Sequence, residues 1–294
     1  MQNRRIGFVG LGLMGNGMAR NLLSSGFTVY GYDIDANKVN AIRLAGGLNI
    51  DSPDQLADRS DLIILSLPNS HVVEDVVRNS LRLFESARKG LILIDTTTAD
   101  PLMSESLARQ LRTIGIDMLD TTISGTSRMC AERDITLMVG GDEAVYRKCT
   151  AIFDALAKKT FFLGKNGSGA MMKLIVNLVL GLNRMVLAEG LALGAKSGMD
   201  LERLLEVLKE SAAYSKAMDM KGRKMIASEF LPAEGKLAFH LKDVRLMLDL
   251  AGRLNFPLFL SSLHAQALAS QVAKGRGEWD NAAIIAFYHD LFDA

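Results

Sequence analysis

The sequence predicts an α/β fold: a doubly wound, mainly parallel sheet followed by a second, all-helical domain at the carboxyl-terminal end. Three observations favour this class. A glycine-rich turn joins the first strand to the first helix, short apolar runs then alternate with amphipathic segments, and helical periodicity alone follows. We therefore expect one domain over residues 1–163 and a helical domain over residues 164–294.

The first predicted strand turns into a helix through three spaced glycines. An apolar run, Ile6 to Val9, precedes the pattern Gly10-Leu11-Gly12-Leu13-Met14-Gly15. In such a turn the first glycine permits the bend, the second leaves room for a pyrophosphate, and the third lets the helix approach the strand. Glycines often serve an ordinary turn, but the strand before and the helix after favour a Rossmann-type dinucleotide site at residues 10–15.

A carboxylate follows the second predicted strand, Phe27 to Tyr32. Asp33 lies 18 residues beyond Gly15, close to the spacing of about 20 residues expected for a carboxylate that binds the adenosine ribose hydroxyls. Ile34 follows it instead of a cation, so we expect NAD in preference to NADP. The alternative is that Asp33 and Asp35 are turn residues or cap the next helix.

Composition excludes several classes of partner. The 294 residues carry a net charge of +1, and no basic run could follow a phosphate backbone, so nucleic acid is not expected. Cys130 and Cys149 lack metal or redox spacing, which predicts packing roles, a reducing compartment and no metal site. The chain leaves no room for a signal peptide, and charged or amide residues interrupt the apolar stretches, so we expect a cytoplasmic protein without membrane contact.

Polar and turn residues follow two further predicted strands. Leu67-Pro68-Asn69 come at the end of Leu62 to Leu67, and Asp95-Thr96-Thr97-Thr98 come at the end of Leu91 to Asp95. Ligands of doubly wound sheets gather at these carboxyl ends, which makes both segments candidate parts of the dinucleotide site. Turn formation and helix capping are the alternative.

A third polar loop, residues 120–127, follows a predicted strand from Ile116 to Leu119. Its hydroxyls and open backbone amides can hold a carboxylate, and Arg128 and Arg133 add positive charge that suits an anionic substrate. The same loop could instead face solvent and cap a helix.

The first helix of the second domain is predicted from Ala170 to Lys196. Its length of about 40 Å and its small residues suit a bridge between domains or the interface of a homodimer or homotetramer. Lys173 and Asn177 lie one turn apart on it, so a lysine could exchange a proton with a hydroxyl that the amide orients. The alternative is a solvated stripe that continues through Gly181 and Arg184.

Together these segments resemble the 3-hydroxyisobutyrate dehydrogenase, or β-hydroxyacid dehydrogenase, family over nearly the full chain. Residues 10–22 are similar to the amino-terminal signature of that family almost residue for residue. The other matching segments, in the order of the family, are Leu67-Pro68-Asn69, Asp95 to Thr98 with Pro101, Ser124-Gly125, Gly169 to Asn177, and Lys242-Asp243.

The resemblance implies an enzyme that transfers a hydride between a nicotinamide cofactor and a short hydroxy acid or its aldehyde or keto acid. It implies that Lys173 is the general acid and base, that Asn177 holds the substrate, and that Ser124 with the Gly125 amide binds its carboxylate. It also places Thr98 and Lys242 near the nicotinamide.

The substrate loop departs from the family in one respect. Thr126, which we include among the substrate-binding candidates, stands where a second glycine is common, and Arg128 and Met129 stand where small residues are common. A reshaped substrate pocket is therefore expected.

Three alternatives share the scaffold. An imine reductase is disfavoured by Lys173, because this fold usually equips imine reductases with another residue there. An oxidative decarboxylase similar to 6-phosphogluconate dehydrogenase would need a larger helical portion. A noncatalytic dinucleotide-binding protein is disfavoured because Lys173, Asn177 and Ser124 are all retained.

Overall fold

One sheet of eight strands forms the centre of the first half of the chain. The computed structural model describes residues 4–86 and 88–292, and in these residues the strand order is β3-β2-β1-β4-β5-β6-β7-β8. The strands are β1 (Arg5–Val9), β2 (Thr28–Tyr32), β3 (Leu48–Asn49), β4 (Leu62–Leu65), β5 (Ile92–Asp95), β6 (Asp117–Ser124), β7 (Thr136–Gly140) and β8 (Lys159–Phe162). Neighbouring strands are parallel except β6 and β7, which confirms a mainly parallel, doubly wound sheet.

Helices cover both faces of this sheet because successive strand residues point to opposite sides. Leu62 and Ile64 of β4 pack in one core and Ile63 and Leu65 pack in another. The helices between the strands are α1 (Leu13–Ser24), α2 (Ala36–Leu44), α3 (Gln55–Arg59), α4 (Ser70–Asp75), α5 (Leu83–Ser86), α6 (Pro101–Thr113), α7 (Ser127–Ala131) and α8 (Glu143–Leu156).

Strand β6 is longer than the sequence predicted. The apolar run suggested an end at Leu119, but the strand continues to Ser124 and pairs with β7 from Asp120↔Gly140 to Ser124↔Thr136. Polar side chains in the second half of β6 concealed the strand, although Asp120, Thr121 and Thr122 are buried. Most of the predicted loop is therefore rigid sheet. Strand β3 was not predicted, because its two residues are exposed and form no apolar run.

The second half of the chain is helical, as predicted. The helices are α9 (Ser168–Lys196), α10 (Leu201–Glu210), α11 (Lys216–Ala227), α12 (Leu237–Arg253), α13 (Phe259–Gln271) and α14 (Ile285–Phe292). They enclose a separate apolar core that includes Leu191, Leu241 and Leu268.

The chain divides into two compact units within α9. The units are Met1–Lys173 and Leu174–Ala294, so the division falls later than the predicted boundary at residue 163. The first turn of α9 belongs with the sheet because the Asp120 carboxylate accepts hydrogen bonds from the backbone N–H groups of Gly167, at 2.8 Å, and Ala170, at 3.0 Å.

Helix α9 is long and apolar enough, by length and composition, to cross a membrane. Charged and amide residues do interrupt its apolar stretches, as expected, at Lys173, Asn177, Asn183, Arg184 and Glu189. A core helix of a protein outside the membrane passes the same test, so the finding is weak evidence, and the absence of membrane contact stays a prediction.

Candidate active site

The glycine turn after β1 has the geometry of a pyrophosphate cradle. Gly10 has φ +89°, and a Cβ there would lie 2.2 Å from the Ser66 carbonyl oxygen. A Cβ on Gly15 would lie 1.9 Å from the Gly10 carbonyl oxygen, so this glycine allows α1 to pack against the turn. A Cβ on Gly12 would meet no protein atom within 4 Å. The space before α1 is therefore open, and the residues present fit a dinucleotide there.

Asp33 lies directly beside this turn, at the end of β2. Its Oδ2 atom accepts a 2.7 Å hydrogen bond from the backbone N–H of Leu11, which fixes the carboxylate next to the cradle. Asp35 caps α2 by accepting a 3.0 Å hydrogen bond from the N–H of Asn37, so the capping interpretation is confirmed for Asp35. The turn interpretation is confirmed for Asp33, whose Oδ1 atom accepts a 2.9 Å hydrogen bond from the N–H of Asp35. A cation is close as well, because Lys38 Nζ lies 3.4 Å from Asp33 Oδ1. The sequence analysis did not include Lys38, which lies on α2 and is placed beside the end of β2 only by the fold.

The loops after β4 and β5 lie at the same edge of the sheet and are bonded to each other. The backbone N–H of Leu67 donates to Thr97 Oγ1 at 3.2 Å. The Asn69 side chain caps α4, whereas Thr98 is half-buried at the end of the β5 loop. Strands β1 and β4 are neighbours, but the chain continues from β1 to β2 on one side and from β4 to β5 on the other. The carboxyl ends of β1 and β4 therefore form the switch point at which doubly wound sheets bind ligands.

Two carboxylates are buried side by side where β5 and β6 pair. Asp95 and Asp120 are register partners, and both side chains are almost completely inaccessible to solvent. Burial raises the pKa of Asp95 to about 7, with a smaller contribution from the Asp120 charge. Burial also raises the pKa of Asp120, against the lowering effect of its backbone N–H donors.

The buried Asp95 makes stability depend on pH. Its folded pKa lies above its unfolded value of 3.8, so the folded protein binds the proton more tightly and loses that stabilisation as pH rises from about 4 to about 7. At pH 8 the free energy of unfolding of Asp95→Asn should therefore exceed that of the wild type by roughly 2–4 kcal/mol. At pH 5 this difference in free energy should be smaller. Urea titrations at both pH values measure this. The exposed Asp58→Asn is the control, and an equal gain at both pH values would contradict the assignment.

Lys173 lies at the end of β6, beside the predicted substrate loop. Its Nζ atom donates a 2.6 Å hydrogen bond to the carbonyl oxygen of Ile123, the residue before Ser124. Gly125 has φ +150°, a conformation that favours glycine, and a Cβ there would lie 2.6 Å from Ile135. The structure thus places the lysine amine beside the backbone of the residue that precedes Ser124 and Gly125.

The start of α9, which carries Lys173, is docked on β6 by a set of bonds that the sequence did not reveal. Besides the two bonds to Asp120, the Thr122 hydroxyl donates to the Gly169 carbonyl oxygen at 2.7 Å. A Cβ on Gly169 would lie 2.3 Å from the Asp120 carbonyl oxygen, so only glycine allows this approach. The sequence contained one sign of this docking, which was the carboxylate of Asp120 directly after the predicted strand Ile116 to Leu119.

The substrate loop continues into α7, which is packed on α1. The Thr126 hydroxyl caps α7 by accepting a 3.3 Å bond from the N–H of Met129, so the predicted capping role is present at a residue also proposed to bind substrate. The buried Asn21 side chain donates a 2.7 Å bond to the carbonyl oxygen of Cys130. Asn21 therefore connects the helix that follows the dinucleotide turn with the helix that follows the substrate loop.

In the second unit, the Asn177 amide donates a 3.0 Å bond to Asp243 Oδ2. Lys242 Nζ lies 3.2 Å from the other oxygen of Asp243, so the Lys242-Asp243 pair supports the orientation of Asn177. The solvated-stripe interpretation is wrong for this part of α9. Asn177, Gly181 and Arg184 are buried, and burial lowers the pKa of Arg184 to about 10.

Both cysteines are packing residues, as predicted. Cys130 and Cys149 are buried free thiols, and burial raises the pKa of each to about 11. The described residues contain no group of three or more His, Cys, Asp or Glu side chains that could hold a metal ion.

Comparisons with known proteins agree with this geometry. Residues 5–164 match the family model described as the NAD binding domain of 6-phosphogluconate dehydrogenase. Residues 167–288 match the model described as NAD-binding of NADP-dependent 3-hydroxyisobutyrate dehydrogenase. The 2-(hydroxymethyl)glutarate dehydrogenase of Eubacterium barkeri is 32% identical over 98% of this chain and 95% of its own length.

The chain belongs to the 3-hydroxyisobutyrate dehydrogenase family. It is also 30% identical to the 2-hydroxy-3-oxopropionate reductase of Escherichia coli K12, over 96% of each chain. The solved 3-hydroxyisobutyrate dehydrogenase of Mycobacterium tuberculosis superposes with a TM-score of 0.88 at 25% identity, over 96% of this chain and 98% of that one. The resemblance, the two-part fold and the enzyme class are thereby confirmed: the protein is an NAD(P)-dependent oxidoreductase of the hydroxyacid dehydrogenase type.

Proposed function

We propose that this protein interconverts a short hydroxy acid and its aldehyde or keto acid, with Lys173 as the general acid and base. The observation that carries the proposal is the 2.6 Å contact between Lys173 Nζ and the Ile123 carbonyl, directly before Ser124. A substrate whose carboxylate binds Ser124 and the Gly125 amide would present its neighbouring hydroxyl to the amine.

The nicotinamide, when bound, supplies the redox chemistry. The protein's own residues orient the substrate and move a proton. In oxidation, neutral Lys173 accepts the proton of the substrate hydroxyl; in reduction, its ammonium form returns a proton to the carbonyl oxygen. Asn177 holds the substrate oxygen, and its amide is oriented by Asp243. Thr98 and Lys242 are assigned to the nicotinamide end of the cofactor.

A screen of short acids tests the proposal. The relatives are named for 2-(hydroxymethyl)glutarate and 2-hydroxy-3-oxopropionate, so the panel contains C3 to C6 hydroxy acids and aldehyde acids with one or two carboxylates. We expect NADH oxidation with at least one aldehyde or keto acid, and NAD reduction with the matching hydroxy acid. Inactivity across the panel, with intact NADH binding, would favour imine reduction or a noncatalytic role.

We propose NAD as the preferred cofactor, although Lys38 supplies a cation beside Asp33 that the sequence argument did not include. Asp33→Asn keeps one oxygen for the Leu11 N–H but removes the charge and the second acceptor, which binds the Asp35 N–H. NADH binding should therefore weaken about tenfold while NADPH binding strengthens. Fluorescence titration with both cofactors measures this. Asp35→Asn is the matched control, because asparagine caps a helix as well as aspartate does. An unchanged ratio of the two dissociation constants in Asp33→Asn would contradict the preference.

We also propose a homodimer or homotetramer in the cytoplasm, without nucleic-acid or membrane partners. Helix α9 leaves Ile175, Val179, Val186 and Leu193 exposed along one side, an apolar ridge that suits association with a second copy of the chain. Two buried free thiols suit a reducing compartment.

A further inference from the structure

Two arginines follow the substrate loop, and their surroundings differ. Arg133 donates hydrogen bonds to the hydroxyls of Ser24, at 2.7 Å, and Ser25, at 3.1 Å. Arg128 is exposed and makes no hydrogen bond or ion pair with any residue in the described ranges 4–86 and 88–292. The Arg133 guanidinium is therefore held at the end of α1 by hydrogen bonds, whereas the guanidinium of Arg128 is available to a ligand.

The backbone of Arg128 is held firmly although its side chain is exposed. Two residues later, Cys130 is buried against α1, where its thiol donates to the Met14 carbonyl oxygen at 3.6 Å. The Asn21 amide bonds the Cys130 carbonyl on the same side. Arg128 is thus presented from a helix that is fixed to the dinucleotide-binding part of the fold.

Arg128 is the second residue of α7 and therefore lies close to the substrate loop in the chain. Consecutive helix residues are about 100° apart, so Arg128 lies roughly opposite the face on which Cys130 contacts α1. Helix side chains lean toward the amino terminus, which at α7 is the Ser124–Gly125 loop. Four residues of chain span at most about 14 Å, so the guanidinium can lie within the length of a small diacid from Ser124.

We propose that Arg128 binds a second anionic group on the substrate, and that the enzyme prefers hydroxy acids with two carboxylates over those with one. The inference rests on the proposed function, in which Ser124 and Gly125 bind the first carboxylate. A guanidinium suits this role because it can bind a carboxylate through two parallel hydrogen bonds. Glu132, the residue after α7, does not compete, since no ion pair joins it to Arg128 in the described part of the chain.

The test compares three substrates in wild-type and variant enzymes. The substrates are 2-(hydroxymethyl)butanedioate, its monomethyl ester at the distal carboxylate, and 3-hydroxy-2-methylpropanoate. We expect wild-type kcat/KM to favour the diacid by roughly 10- to 100-fold over the ester. Arg128→Gln should lose this preference but keep its turnover of the two monoacids, and Arg128→Lys should retain part of the preference. Arg112→Gln, which changes another exposed arginine of the first unit, should behave as wild type.

The possible outcomes separate the two proposals. The role of Arg128 would be overturned if wild-type kcat/KM were equal for the diacid and the ester, or if Arg128→Gln kept the wild-type preference for the diacid. Either result would leave the proposed function intact. A wild type that is inactive on every hydroxy acid, despite binding NADH, would overturn the proposed function and this assignment with it.

Discussion

Replacing Lys173 with alanine should lower turnover by roughly 10²- to 10⁴-fold while leaving NADH binding nearly unchanged. The amine is bonded to the carbonyl oxygen beside Ser124, where it can reach a bound substrate, and it makes no part of the glycine turn. Stopped-flow rates and NADH fluorescence titration measure the two effects separately.

Two further variants serve as controls for that change. Lys173→Met keeps the apolar stem of the side chain, so it shows whether packing accounts for any loss of activity. Lys165→Ala removes an exposed amine near the start of α9 and should retain full turnover. Near-normal turnover in Lys173→Ala would contradict the assignment.

Alanine at Gly12 and alanine at Gly15 should have opposite consequences. At Gly12 the new methyl group meets no protein atom, so thermal stability should stay close to that of the wild type while NADH binding falls by at least tenfold. At Gly15 the methyl group would lie 1.9 Å from the Gly10 carbonyl oxygen, so the protein should lose several kcal/mol of stability or fail to fold.

Melting curves and NADH titrations of the two variants measure this difference. The space before α1 is assigned to the pyrophosphate because the protein leaves it open. Wild-type affinity for NADH in Gly12→Ala would show that the cofactor lies elsewhere.

The local parts of the site could be predicted from sequence. Short segments of sequence were enough to predict the glycine turn and the position of Asp33 at a strand end. The order of the strands was enough to predict that the loops after β4 and β5 are adjacent. The helical periodicity after residue 167 likewise predicted α9 and the second unit, because helix signals extend over many residues.

The remaining features depend on contacts between distant segments. Polar residues concealed the second half of β6, and with it the docking of α9 on Asp120 and the bond between Lys173 and Ile123. The burial of Arg184 reverses the solvated-stripe interpretation, since periodicity alone does not show which face of a helix is covered. The two arginines after the substrate loop looked equivalent in sequence, and only the bonds of Arg133 to Ser24 and Ser25 distinguish them.

Chemical rescue of Lys173→Ala tests most directly whether this amine transfers the proton. Methylamine or ethylamine added to the variant with NAD and an active hydroxy acid should restore turnover in a concentration-dependent manner, whereas the tetramethylammonium ion, which cannot exchange a proton, should not. A proton-transfer role for Lys173 would be contradicted if a folded variant that still binds NADH showed no rescue. It would also be contradicted if tetramethylammonium rescued turnover to the same extent as the amines.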